Sequence, residues 1–333
     1  MTKISLSPYF HPTTICLVDD NESFLRSLTL ELPRTWACQT FTDPDEALRY
    51  LNEPPALAPL VDRCFRLDAP SQSEALIHLD LGLIEQEINQ PERFRRVSVV
   101  VADYAMPSMN GLELCRGIND PYIKKAMLTG VADEKVAVEA FNAGLINRFI
   151  PKHGTNATRT ALNYIDELQN EYFTQYTARL RDTLSIDPPG FLVDPAIASS
   201  VEQLMRDERL VEYYLVNDPP GFMLLRSNGS MMRLLILNAD DMAAQLAFAR
   251  KHNAPADILD AIGNKRAAGL FAGDSPADYF GPEPYPWQDN LVALSVIAGT
   301  EDWHIGVVTD APTDIDFDPQ RSAYDAYLSS LDR

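Results

Sequence analysis

Two apolar runs of this chain end in acid. Ile15-Cys16-Leu17-Val18 leads into Asp19-Asp20, and Val97-Ser98-Val99-Val100-Val101-Ala102 leads into Asp103. Short continuous apolar stretches predict strands buried on both faces, the kind found in parallel sheets. Two further runs share the pattern. Ala126-Met127-Leu128 delivers Thr129-Gly130, and Arg148-Phe149-Ile150-Pro151 delivers Lys152. In a doubly wound parallel sheet the carboxyl ends of the strands line the ligand crevice, so residues far apart in sequence meet there.

The charges at those strand ends point to a chemistry. Three clustered carboxylates repel one another at neutral pH unless a hard divalent cation lies among them, and Mg²⁺ takes a few carboxylates, carbonyls and waters. Such a cation also neutralises an incoming phosphoryl group, for which one carboxylate would be the nucleophile. A hydroxyl at Thr129 and an ammonium at Lys152 suit phosphoryl oxygens, the first as a hydrogen-bond donor and the second as a point charge.

The set Leu17-Val18-Asp19-Asp20-Asn21, Asp103-Tyr104-Ala105-Met106-Pro107-Ser108-Met109-Asn110-Gly111, Leu128-Thr129-Gly130 and Pro151-Lys152 resembles the receiver domain of two-component response regulators. The resemblance covers about residues 12 to 155. It implies that Asp103 is the phosphoacceptor and that Asp19, Asp20 and Asp103 hold Mg²⁺ with the Ala105 carbonyl. It also implies that Thr129 and Lys152 sense the phosphoryl group, and that Phe149 is the switch aromatic. The donor would be a sensor histidine kinase or a phosphotransfer protein. In receivers the residues two beyond the phosphoacceptor and two beyond the threonine bear on hydrolytic water; here they are Ala105 and Val131, neither able to orient water through its side chain. One departure from the family is His153, which stands where a proline is usual.

A second departure is length. Between Leu51 and Val97 the chain carries about forty residues more than a helix-to-strand connection needs. This insertion, about 54–96, should leave the amino-terminal edge of the sheet, opposite the acids. It holds Pro54-Pro55-Ala56-Leu57-Ala58-Pro59 and then a stretch from Ala75 to Asn89 in which Ile77, Leu81, Ile84 and Ile88 recur at helical spacing. That spacing predicts a helix packed on the receiver or a docking arm for a partner.

The receiver is assigned residues 1–154, followed by a linker helix over 155–186. Ala161, Leu162, Ile165, Leu168, Tyr172, Tyr176, Leu180 and Leu184 recur there mostly at three- and four-residue steps. Either a second domain packs along this stripe or it pairs with the same helix of a second copy to form a homodimer.

Pro188-Pro189-Gly190 opens an output domain over 187–333. Val211 to Val216, Phe222 to Leu225 and Met231 to Leu237 predict three strands, the last two joined by the turn Ser227-Asn228-Gly229-Ser230. Helices over Asp240 to Lys251 and Pro255 to Ile262 follow, with Asn238 as a cap, then strands over Leu291 to Ala298 and His304 to Val308. The fold class is α/β: a five-stranded parallel receiver, then a smaller α+β domain with an antiparallel sheet and helices on one face. The Pro/aromatic segment Pro276 to Trp287 either covers a sheet edge or forms a contact surface.

Composition restricts the output. With a formal net charge of −20 and a pI of about 4.6, the chain is repelled by DNA phosphates and anionic lipid. No run reaches the length of a membrane span, and the first residues, Met1 to Thr14, show no secretory apolar region. Four scattered cysteines, Cys16, Cys38, Cys64 and Cys115, fit a reducing cytoplasm rather than zinc or disulfide chemistry. His252 and His304, the histidines of the second domain, lie in no metal-ligand spacing. The enzymatic outputs familiar among response regulators announce themselves by a Gly-Gly-Asp/Glu-Glu-Phe run, a Glu-Ala/Val-Leu motif or a His-Asp pair, none of which is present. The expectation is a response regulator signalling through protein or small-ligand contacts, the alternative a phosphorylation-controlled enzyme with an unrecognised site.

Overall fold

The computed structural model describes residues 6–54, 58–68, 76–130, 134–152, 157–184, 189–270, 287–309 and 317–331. Val131, His153, Pro276 to Pro286 and the acidic stretch 310–316 lie outside them. The strands are β1 (Tyr9–Phe10), β2 (Thr14–Val18), β3 (Ala37–Phe41), β4 (Phe65–Asp68), β5 (Leu76–Leu79), β6 (Val97–Asp103), β7 (Lys124–Thr129), β8 (Arg148–Pro151), β9 (Leu210–Asn217), β10 (Pro220–Arg226), β11 (Met231–Leu237), β12 (Ala267–Gly269), β13 (Leu291–Ala293), β14 (Ser295–Ala298) and β15 (Asp302–Thr309). The helices begin with α1 (Glu22–Glu31), α2 (Pro44–Leu51), α3 (Leu60–Cys64), α4 (Gly82–Glu85), α5 (Gly111–Gly117), α6 (Glu134–Asn142) and α7 (Ala157–Tyr176). They continue with α8 (Ala178–Leu184), α9 (Gly190–Val193), α10 (Pro195–Asp207), α11 (Ala239–Lys251) and α12 (Ala256–Gly263). Two short helices, Pro319–Ser322 and Tyr324–Ser330, follow.

The chain forms two compact units. One comprises residues 12–58, 91–178 and 327–333, the other residues 1–11, 59–90 and 179–326. The first holds the expected parallel sheet, in the order β3-β2-β6-β7-β8. Its apolar strands alternate between two cores, as period-two side chains must. Ile15, Leu17, Val99, Val101, Leu128 and Ile150 face α1 and α7, whereas Cys16, Val18, Val100 and Ala102 face α2 and α5. Asn21 starts α1 as foreseen, its side chain accepting the Phe24 N–H at 3.1 Å.

The second unit is built on an antiparallel sheet in the order β1-β9-β10-β11-β15-β14. The meander β9-β10-β11 matches the expectation, and Asn238 caps α11 in a capping box with Asp241. Helices cover both faces rather than one. Leu235 and Leu237 pack with Met242, Ala249, Ile258 and Ile262 of α11 and α12, while Phe222, on the other face, meets Phe191 of α9 edge-on. The expected strand over Leu291 to Ala298 is two: β13 pairs with β12, and β14 pairs with β15. Of the Pro/aromatic segment, Trp287 is buried in the core under α11 and α12.

Three expectations about organisation are corrected. The insertion segment 59–90, expected as a part of the receiver or a docking arm, belongs to the antiparallel unit, where α4 lies against β9. Its residues 76–79 are a strand paired with β4; only α4 and a 3₁₀ turn over Gln86–Asn89 follow. A short apolar run satisfies strand and helix spacing alike, and here pairing decided. Residues 1–11, assigned to the receiver, also join the antiparallel unit through the pairing of Tyr9 with Tyr214.

The linker is two helices that meet at Thr177, α7 in the parallel-sheet unit and α8 in the other. Its stripe is spent inside the chain. Ala161, Ile165 and Leu168 are in the receiver core, and Tyr172, Tyr176, Leu180 and Leu184 are buried. No seam is left there for a coiled-coil homodimer, and proline at Leu168 would break the core together with the helix. None of the described helices is long and apolar enough to cross a membrane.

Asp194, the cap of α10, is 1% exposed and ties that helix to the β14–β15 turn. Its Oδ1 accepts the Ala196 N–H at 2.8 Å. Its Oδ2 accepts the Thr300 N–H at 2.7 Å, the Thr300 hydroxyl at 2.8 Å and the Trp303 indole N–H at 2.8 Å. Gly299 must be glycine for this approach, since a Cβ there would sit 2.2 Å from the carboxylate. Burial alone would raise the Asp194 pKa, but the donors of Thr300, Trp303 and Ala196 outweigh it and hold the carboxyl far below the usual range. Asp194→Asn should lower stability by about 2–4 kcal/mol, read as an earlier urea midpoint. Because the folded-state pKa is depressed, this contribution is complete above the ordinary value of about 3.9 and fades as pH falls below it, so variant and parent should converge only in acid. Equal midpoints at neutral pH would contradict the assignment.

Candidate functional site

The parallel register brings the four strand ends to one edge of the sheet. Val18 pairs with Ala102, Asp103 with Leu128, and Thr129 with Pro151. Asp19, Asp103 and Thr129 are buried, and Asp20 is exposed. Carboxylate oxygens of Asp19, Asp20 and Asp103 lie within 4.8 Å of one another.

Lys152 holds this cluster together. Its Nζ is 2.7 Å from Asp19 Oδ2 and 2.9 Å from Asp103 Oδ2. Burial alone would lower the lysine pKa, but the Asp19 and Asp103 carboxylates outweigh it and hold the ammonium above the usual range. Asp19 Oδ1 accepts the Asn21 N–H at 2.9 Å, which fixes the carboxylate against the start of α1. The Lys152 backbone N–H donates to the Thr129 carbonyl at 2.9 Å, so the lysine is anchored to the neighbouring strand end.

Thr129 is the odd member. Its hydroxyl is buried and has no hydrogen-bond partner among the described residues. An unsatisfied buried hydroxyl costs roughly 1–3 kcal/mol. Phe149 lies on the far strand, half-buried against the cluster that holds Met127 and Ala140, with its ring edge-on to Phe141 at 6.4 Å. Ala105 is exposed in the loop after Asp103.

That loop is shaped by α5. Asn110 caps the helix in a capping box with Glu113, and the Gly111 N–H donates to the Tyr104 carbonyl at 3.1 Å. A Cβ at Gly111 would lie 2.2 Å from the Asp103 carbonyl oxygen and 2.8 Å from Met127 Sδ. Glycine is therefore what lets the helix start so close to the acid-bearing strand end.

The donor set suits a hard dication: three carboxylates, two of them buried and one open to solvent. The residues proposed from the sequence, Asp19, Asp20, Asp103, Thr129 and Lys152, all stand at this one edge. Sequence reasoning passed over Asn21 as a brace for Asp19 and Phe24, whose ring centroid is 5.0 Å from Lys152 Nζ. Phe24 lies four positions past Asp20 on α1, one turn into the helix, which is the signal that places it near the crevice.

Over 99% of its length the chain is similar to the response regulator LqsR of Legionella pneumophila, at 31% identity and a TM-score of 0.76, covering 97% of that chain. The chain is a response regulator. It is similar over about half its length to two shorter structures. One is a receiver domain protein from Clostridium thermocellum (20% identity, TM-score 0.30, 47% of this chain and 98% of that one). The other is a CheY-like receiver from Methanospirillum hungatei JF-1 (20% identity, TM-score 0.33, 49% and 98%). No protein-family model and no curated protein matches it.

The Thr129 hydroxyl of this response regulator, without a partner among the described residues, gives a prediction. Thr129→Val replaces it with a methyl of nearly the same shape and should leave the unmodified protein equally stable or more stable, by up to about 1 kcal/mol. Thermal unfolding of parent and variant measures this. A variant clearly less stable than the parent would mean that the hydroxyl already has a partner.

Proposed function

We propose that Asp103 accepts a phosphoryl group from a phosphohistidine of a sensor histidine kinase or phosphotransfer protein. The observation that supports this best is the meeting, at one sheet edge, of a Lys152-paired Asp103 with a Thr129 hydroxyl that has no partner among the described residues. An Asp103 carboxylate oxygen attacks phosphorus, the P–N bond breaks, and its electron pair returns to the imidazole, which takes a proton from solvent. Mg²⁺ held by Asp19, Asp20, Asp103 and the Ala105 carbonyl would supply the positive charge that lets an anionic phosphoryl group approach these acids. Lys152 remains beside the acyl phosphate as a point charge, and Thr129 donates its hydroxyl to a phosphoryl oxygen. Phe149 is proposed to turn inward as Thr129 moves, altering the surface of β8 and α6.

The antiparallel unit would carry the output by protein or small-ligand contacts. The net charge of −20 disfavours direct DNA binding. Residues 59–90 and 1–11 would share in that output rather than in the receiver, since they fold with it.

Incubation with a small phosphodonor and Mg²⁺ should give acid-labile phosphate on the parent and none on Asp103→Asn. Phosphate retained by the variant would place the nucleophile elsewhere. Lifetime gives a separate prediction. Ala105 and Val131 can orient no hydrolytic water, so the acyl phosphate of the parent should outlast that of Ala105→Asn/Val131→Glu. Equal or faster loss in the parent, followed by phosphate release after donor removal, would count against that account.

A further inference from the structure

Lys152 has a neighbour that the phosphotransfer reading does not use. Its ammonium lies over the face of the Phe24 ring, 5.0 Å from the centroid, while two of its donor directions go to Asp19 and Asp103. Phe24, Ser27, Leu28, Pro151 and Lys152 all line a cavity of about 190 Å³ between α1 and the end of β8. The lysine side chain is 18% exposed, so most of it is enclosed by protein groups, the ring among them.

A dication drawing on Asp19 and Asp103 competes with this ammonium for the same oxygens. Asp19 Oδ1 is already engaged by the Asn21 N–H, and the ion pair with Lys152 is the polar partner of Oδ2 among the described residues. For a metal to take that carboxylate, the ammonium must loosen its hold. The adjoining cavity gives it room, and the aromatic face gives it a cation-binding surface outside the carboxylates.

We propose that Phe24 is a positioning residue that receives the Lys152 ammonium through cation–π contact when Mg²⁺ enters the acidic cluster, and so strengthens metal binding. The inference rests on reading that cluster as the Mg²⁺ site. It assigns to α1 a part in metal exchange that none of the acids can play.

The test is calorimetric titration of the full chain with MgCl₂, without phosphodonor. Phe24→Leu should weaken Mg²⁺ binding on the order of fivefold, whereas Phe24→Tyr, which keeps an aromatic face, should stay within about twofold of the parent. In a Lys152→Met background, where no ammonium needs a place, Phe24→Leu should have no further effect. Unchanged or tighter binding by Phe24→Leu would overturn the proposal, as would an equal loss in the Lys152→Met background. If the parent binds Mg²⁺, Asp20→Asn abolishes that binding and Phe24→Leu leaves it intact, the positioning role alone fails. A parent that takes up no Mg²⁺ would sink the metal reading along with it.

Discussion

The ion pairs of Lys152 with Asp19 and Asp103 govern the rest of the receiver site. Asp19 is fully buried, and a buried carboxylate without a counter-charge is strongly destabilising. One lysine therefore pairs with two acids contributed by neighbouring strands and does so from beyond a third strand. This is possible because β8 lies at the sheet edge next to β7, with its backbone pinned to Thr129. The arrangement leaves one ammonium against three carboxylates, an excess of negative charge that suits a dication, and a Thr129 hydroxyl with no partner among the described residues.

The precision of that edge comes from the two cores beneath it. Alternating residues of β2 and β6 are gripped from opposite sides, Leu17 and Val101 by α1 and α7, Val18 and Ala102 by α2 and α5. A one-residue slip of either strand would send its acid to the wrong place and every apolar side chain to the wrong face. Gly111 adds a local condition, because the loop after Asp103 closes only when nothing larger stands there.

The acids, the threonine and the lysine were legible because each ends a short apolar run, and such runs admit few alternatives once a parallel sheet is assumed. The meander β9-β10-β11 was legible for a related reason, a turn set between two strands of matched length. Segment 76–89 was misread because Ile77, Leu81, Ile84 and Ile88 satisfy helical spacing, although pairing with β4 claims the first part of it. The stripe on α7 was read correctly as apolar, but periodicity states only that a face is covered and not by what. Ala161, Ile165 and Leu168 are covered by their own sheet. Phe24 escaped notice because an aromatic residue on an amphipathic helix is ordinarily core, and its value depends on a lysine that arrives from the far end of the domain.

The membership of the short segments changes how a signal could travel. With residues 1–11, 59–90 and 179–326 in one unit and the remainder in the other, the chain passes between units at 11–12, 58–59, 90–91, 178–179 and 326–327. The helical stretch from α7 to α8 is therefore one of five covalent links between the units. Two of the crossings flank the insertion, and β6, the strand that carries Asp103, begins soon after residue 91. A further crossing immediately precedes β2, which leads to Asp19 and Asp20. The strands that carry the three acids are thus each tied, within a few residues of their amino-terminal ends, to the unit proposed to carry the output.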